Sequence, residues 1–183
     1  MAESSPTERI DTYENGAVRA AYHMKDGRLH GAYVERNPDG TPIMQATFEN
    51  GQLEGPARFF GPGGSVARES TFHAAVLHGA TTMYEAGAPR MRLNYKGGQL
   101  DGEAIFLDED GRIVRKATYA NGALEGPWHE YRPDGRVRET SQYRNNRLHG
   151  ETVRYDEQGK VTERIRYEKG VVVADPKPAA QKR

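Results

Sequence analysis

The 183-residue chain has no cysteine, which excludes disulfides, thiolate metal ligands and a cysteine nucleophile and leaves the redox compartment open. It has no long apolar run. Nothing in it approaches the roughly 18–20 consecutive apolar residues of a membrane-spanning helix. The opening MAESSPTERI carries no hydrophobic segment of the secretory kind. On these grounds the chain is expected in the cytoplasm, or in the periplasm if a leader has been removed. An excess of one charge is missing too. The 26 Lys and Arg balance 26 Asp and Glu, so nucleic acid is not an expected partner. Apolar residues make up only 36% of the chain and mean hydropathy is -0.87, a thin supply for a deep core. No G-x-S-x-G elbow, P-loop or dinucleotide fingerprint occurs, so no enzyme activity and no cofactor are expected.

What the chain does have is a spacing. Six related hexapeptides recur: DGRLHG, NGQLEG, AAVLHG, GGQLDG, NGALEG and NNRLHG. Their last glycines, Gly31, Gly55, Gly79, Gly102, Gly126 and Gly150, lie 24, 24, 23, 24 and 24 residues apart. The clearest period is GPWHEYRPDGRVRETSQYRN. Its first strand, Pro127 to Tyr131, ends at a tip where Asp134-Gly135 offers the left-handed backbone of a tight turn. Its second strand, Arg136 to Tyr143, alternates: Val137, Ser141 and Tyr143 share one parity, Arg136, Arg138, Thr140 and Gln142 the other. Tip glycines recur at Gly16, Gly40, Gly64, Gly87, Gly111, Gly135 and Gly159.

The second strands end in rings: Phe48, Phe72, Tyr95, Tyr119, Tyr143 and Tyr167. Two residues earlier stand Ala46, Ser70, Leu93, Ala117, Ser141 and Ile165, mostly small, which leaves room for a ring to lie against the sheet. The connector glycines are expected where a β-carbon would clash, and the connector leucines as pegs on the apolar face. A lone hairpin cannot bury such a face, so successive hairpins must pair edge to edge. The expected fold is all-β: an elongated, twisted and curved single antiparallel sheet of tandem 24-residue β-hairpin repeats. About fourteen strands at ~4.8 Å give a ribbon on the order of 65 Å, with the apolar face on its inner side. Residues 9–173 form the repeat domain, with six full copies over about 27–168, and residues 1–8 and 174–183 are expected to be flexible tails. No helix is expected outside the tails. The third repeat departs from the pattern at Ala75 and at YEAGAPR, which predicts a kink or register change near Tyr84 to Pro89.

The segment NGALEGPWHEYRPDGRVRETSQYRNNRLHG resembles the MORN-repeat variant family, and the resemblance extends over about residues 13–173. It implies a β-hairpin solenoid used as a binding scaffold, often labelled antitoxin-like in bacteria. The family's motif residues are architectural, so the resemblance implies no catalytic position.

Three groups of residues invite a functional reading. His30, His78 and His149 alternate in one slot with Glu54, Asp101 and Glu125. Equivalent slots lie two strands, on the order of 10 Å, apart. Metal coordination needs about 2.0–2.2 Å, so these read as polar turn residues and no metal site is expected. His23, His73 and His129 share no slot. The first strands carry Phe59, Phe60, Met83, Tyr84, Phe106, Trp128, Tyr131 and Tyr155, with apolar side chains at both parities. These rings either form the thin core or, because one sheet cannot bury both faces, stay exposed for a partner. Partner binding is assigned to Phe59, Phe60, Tyr84, Phe106, Trp128, Tyr131 and Tyr155. A basic row on the second strands, Arg90, Arg92, Lys116, Arg138, Arg164 and Arg166, either binds anions or is a solvated face paired with Glu69, Glu130 and Glu151.

The leading expectation is a non-catalytic protein-binding scaffold, of antitoxin or immunity type, whose partner is a toxin or secreted effector. One alternative is attachment to an anionic membrane surface through Arg92, Lys116, Arg138, Arg164 and Arg166; an enzyme is the third reading, with no residue constellation behind it. Unprotected edge strands leave edge-to-edge self-association open.

Overall fold

The computed structural model describes residues 5–173. The chain is all-β, with a single antiparallel sheet of 18 strands that is not closed. Among the described residues the one departure is a three-residue 3-10 turn at Pro62–Gly64. Contacts divide the chain into a first unit ending at Gln99 and a second beginning at Leu100.

The first unit contains β1 (Thr7–Thr12), β2 (Val18–Lys25), β3 (Arg28–Arg36), β4 (Pro42–Glu49), β5 (Gln52–Leu53), β6 (Gly55–Phe60), β7 (Val66–His73), β8 (Val76–Glu85) and β9 (Ala88–Lys96). After β10 (Gln99–Leu100), the second contains β11 (Gly102–Leu107), β12 (Ile113–Ala120), β13 (Ala123–Tyr131), β14 (Val137–Arg144), β15 (Arg147–Leu148), β16 (Gly150–Tyr155), β17 (Val161–Glu168) and β18 (Val171–Val173). The count exceeds fourteen because β5, β10 and β15 are connector pieces cut off by the bulge at the connector glycine, and β18 opens a seventh connector. The regular structure begins at Thr7, inside the segment expected to be a tail, because β1 pairs with β2 and the Thr7 hydroxyl donates to the Met24 carbonyl at 3.3 Å. Residues 1–4 and 174–183, the rest of the expected tails, lie outside the described residues.

The turn chemistry of the tips follows the sequence reading only in part. The two-residue turns with both residues left-handed are the connectors, as at Asn121 (φ 47°) and Gly122 (φ 81°). At the expected tight tip only Gly135 is left-handed. Pro133 fixes a type I start, and the loop closes through Gly135 N–H to the Arg132 carbonyl at 2.9 Å. The Asp134 carboxylate accepts the Arg136 N–H at 2.9 Å and holds that tip. The third repeat absorbs its missing residue here: Ala86-Gly87 makes a two-residue tip, with Glu85 opposite Ala88. The expected register change is present between Met83 and Tyr84, and the same shift occurs at Glu130/Tyr131, so it belongs to the hairpin and not to the deletion.

The connector glycines have a partner that sequence alone did not show. Each stands opposite a strand-ending ring: Gly31–Phe48, Gly55–Phe72 and Gly79–Tyr95 in the first unit, Gly102–Tyr119, Gly126–Tyr143 and Gly150–Tyr167 in the second. Clash is not the general reason for glycine. A β-carbon at Gly126 would meet Thr118 at an ordinary 3.7 Å, whereas its φ of +100° is strained for any L side chain. The leucines do act as pegs. Phe48 pairs with Leu53, Phe72 with Leu77, Tyr119 with Leu124 and Tyr143 with Leu148.

Beside the rings runs a row of small, buried residues. In the first unit it is Ala46, Ala57, Ser70 and Thr81, and in the second Ala104, Ala117, Ser141 and Thr152. Phe72 packs with Ala46 and Ala57, while Met44, Phe48, Leu53, Phe59 and Leu77 close around them. Small residues let rings lie flat over the backbone, so the core is one side chain thick. Successive connectors are tied together: the second turn residue donates its N–H to the leucine carbonyl of the connector before it. The six bonds, from Gly51 to Leu29 through Gly170 to Leu148, measure 2.8–3.1 Å.

Candidate partner-binding faces

In the first unit the face bearing Phe48 and Phe72 also holds Phe59, whose ring meets Phe72 edge-on at 6.2 Å. The Arg68 guanidinium lies 4.1 Å above Phe59. Phe60 and Tyr84 point to the opposite face. There the Tyr84 hydroxyl donates to Glu69 at 2.7 Å, and Arg58 donates to the other carboxylate oxygen at 2.7 Å. The Tyr84 hydrogen bond, then the Arg58 one, holds the Glu69 carboxyl below its ordinary range. That opposite face carries an open groove of about 570 Å³ floored by small side chains such as Ala32, Thr47 and Ala80.

In the second unit Trp128 packs on Tyr143 at 5.6 Å, and burial, followed by the charge of Glu139, raises the Tyr143 phenol. The Arg115 guanidinium sits between two rings, 4.6 Å from Trp128 and 5.5 Å from Phe106. Glu130 lies 3.5 Å from it, and its buried Nε has no hydrogen-bond partner among the described residues. Beyond Glu130 this row becomes ionic: Arg154 donates to Glu139 at 2.8 Å and also pairs with Glu163. Tyr131 and Tyr155 lie on the other face, Tyr131 stacked with His129 at 6.3 Å.

The seven predicted aromatics therefore do not make one surface. Phe59, Phe106 and Trp128 share the ring face of their units, and Phe60, Tyr84, Tyr131 and Tyr155 face the other way. All seven are half-buried, and the strongly exposed apolar residues are instead Ile10, Val171 and Val172 on β1 and β18. Two residues at the centre of these clusters, Arg68 and Arg115, escaped the sequence reading. The signal was there: Arg115 shares parity with Ala117 and Tyr119, and Arg68 with Ser70 and Phe72.

Much of the basic row is paired. Lys116 meets Glu103 at 3.5 Å, Arg138 meets Glu130 at 4.0 Å and Arg164 meets Glu151 at 3.1 Å. Arg90 pairs with Glu85, and Glu69 is taken by Arg58 and not by the row. Arg92 and Arg166 stand on the same parity, opposite Thr82 and Glu151. The His/carboxylate slot has a structural task. Glu54 accepts the Ala74 N–H at 2.9 Å, Asp101 that of Asn121 at 3.2 Å and Glu125 that of Asn145 at 2.8 Å, each at the start of the next connector. His30 takes the same place before Asn50 at 3.5 Å. His73 is less isolated than its sequence position implies, since it touches Glu54 at 3.0 Å and lies 6.1 Å from the His78 ring.

A one-layer sheet of tandem hairpins, tied turn to turn and holding half-buried rings on its faces, defines a repeat scaffold. The last full repeat, residues 148–169, matches the MORN repeat variant. No curated protein matches its sequence. Among solved structures it is similar to part of the GtfA/B complex bound to UDP and GlcNAc, at 16% identity and TM-score 0.31 over 49% of this chain and 22% of that one. It is also similar to part of an S. aureus TarM mutant in complex with fondaparinux, alpha-GlcNAc-glycerol and UDP, at 8% identity and TM-score 0.33 over 65% of this chain and 19% of that one. The chain thus spans about a fifth of the length of either protein.

Proposed function

We propose that this chain is a non-catalytic scaffold that binds another protein through the ring face of its second unit. An antitoxin or immunity-type role, with a toxin or secreted effector as partner, is the biological setting we favour. The observation that supports the reading is Arg115, held between Phe106 and Trp128 with Glu130 at its edge. Trp, Tyr and Arg packed into one half-buried cluster are the residue types that dominate binding energy at protein interfaces. Anionic-membrane attachment is the weaker reading, because Lys116, Arg138 and Arg164 already have carboxylate partners.

The test begins with a partner identified by pull-down and verified with purified components. Phe106→Ala with Trp128→Ala is compared with Tyr131→Ala with Tyr155→Ala, each checked for folding by circular dichroism. The first pair is expected to weaken binding by more than about tenfold and the second by much less. Full affinity in a folded Phe106/Trp128 variant removes this face from consideration.

A further inference from the structure

We infer that the first unit holds a binding site for an alkylated ammonium group over Ala20. Along the second strands one slot on the ring face is filled in turn by Ala20, Met44, Arg68, Met91, Arg115, Glu139 and Glu163. Arg68 and Arg115 place guanidinium groups over rings, at 4.1 Å from Phe59 and 4.6 Å from Trp128. The protein therefore uses this slot, twice, to set a cation on an aromatic surface.

At Ala20 the side chain is too short to do so. Ala20 lies between Asp11 on β1 and Glu35 on β3, directly opposite both. Next to it the rings of Tyr22 and Tyr33 stand 6.1 Å apart at 30°. Together with Arg19 these side chains border an open cavity of about 480 Å³. Asp11 is already answered, by Arg19 at 3.1 Å and by the Tyr22 hydroxyl at 3.3 Å. Glu35 forms no ion pair among the described residues. The cavity thus offers a stacked pair of rings, a small floor and one carboxylate, Glu35, which the Tyr33 hydroxyl meets but no cation pairs with among the described residues. That combination suits a weakly hydrated monocation such as a trimethylammonium group. A ring surface attracts it, and it needs no hydrogen-bond acceptors.

Choline and its neutral isostere 3,3-dimethylbutan-1-ol separate charge from shape. Titrated into the full chain and followed by the Tyr22 and Tyr33 NMR signals, choline is expected to bind with a Kd of about millimolar, and the isostere about tenfold more weakly. Glu35→Gln is expected to weaken choline by a similar factor. Ala20→Arg is expected to abolish binding by supplying the guanidinium that Arg68 and Arg115 supply elsewhere; if that variant does not fold, Glu35→Gln decides. Trimethyl-lysine amide carries the same headgroup, and whichever probe binds more tightly identifies a free or a protein-borne source. Equal binding of the neutral isostere, unchanged binding in Glu35→Gln, or no binding of either ammonium probe overturns the assignment.

Discussion

Tyr143 lies directly opposite Gly126 across β13 and β14, and on its other side it pairs with Leu148. The ring is thus set between a residue with no side chain and a leucine, and it leans on Trp128 at 5.6 Å. A ring opposite a glycine covers backbone that would otherwise be wet, a pairing that also stabilises designed sheets. The recurrence of Gly and aromatic at one spacing follows from that contact.

Gly126→Ala tests the backbone half of this pairing. With φ at +100° the alanine is strained, and a loss of about 1–3 kcal/mol in chemical denaturation is expected. Gly150→Ala is expected to cost more, since its β-carbon would come within 3.2 Å of Gln142 Cβ. Gly61→Ala, where φ is −92°, is the control and is expected to be near neutral.

The buried hydroxyl pair Ser141–Thr152, 3.0 Å apart, predicts non-additivity. Ser141→Ala strands the Thr152 hydroxyl in the small-residue row and is expected to cost about 1–3 kcal/mol. Adding Thr152→Val removes the stranded group and is expected to recover part of that loss. Additive costs in the two substitutions would show that the hydroxyls do not depend on one another.

Acid unfolding carries a sign set by Glu69. The Tyr84 hydroxyl, then Arg58, holds its carboxyl below the ordinary 4.5. A depressed folded value stabilises the fold above the unfolded pKa, and that contribution is lost as pH falls through the folded value. Tyr84→Phe removes the larger cause. The Glu69 titration followed by carbon NMR is then expected to move up toward 4.5, and acid unfolding to begin at higher pH. An unmoved titration contradicts the assignment.

Hydrogen exchange reads the connector staples. The amides of Gly122, Asn146 and Gly170 donate to Leu100, Leu124 and Leu148, and are expected to exchange slowly although these turns are exposed. Gly135, whose bond closes only its own tip, is expected to exchange faster.

The hairpins, the ring row and the leucine pegs were legible because each repeats at a fixed spacing and alternates with period two. Turn type was not. Asn121-Gly122 and Asp134-Gly135 look alike in sequence, and only Pro133 distinguishes the type I tip. The division of the aromatics was legible, since Trp128 and Tyr131 lie three apart and alternation sends them to opposite faces; which of the two faces gathers rings around a cation was not. Arg115 was overlooked because a cation is read as wet, although its parity placed it beside Ala117 and Tyr119. The cavity over Ala20 could be found only once the slots were aligned on the sheet, where an alanine marks the place that arginine takes in later repeats.

Each repeat seats its ring between the preceding connector glycine and the next connector leucine. Nuclear Overhauser contacts from the Tyr143 ring test it most directly. Contacts to the Gly126 α-protons and the Leu148 methyls are expected, with the same pattern from Tyr119 to Gly102 and Leu124. Rings that contact neither residue in a folded chain would contradict it.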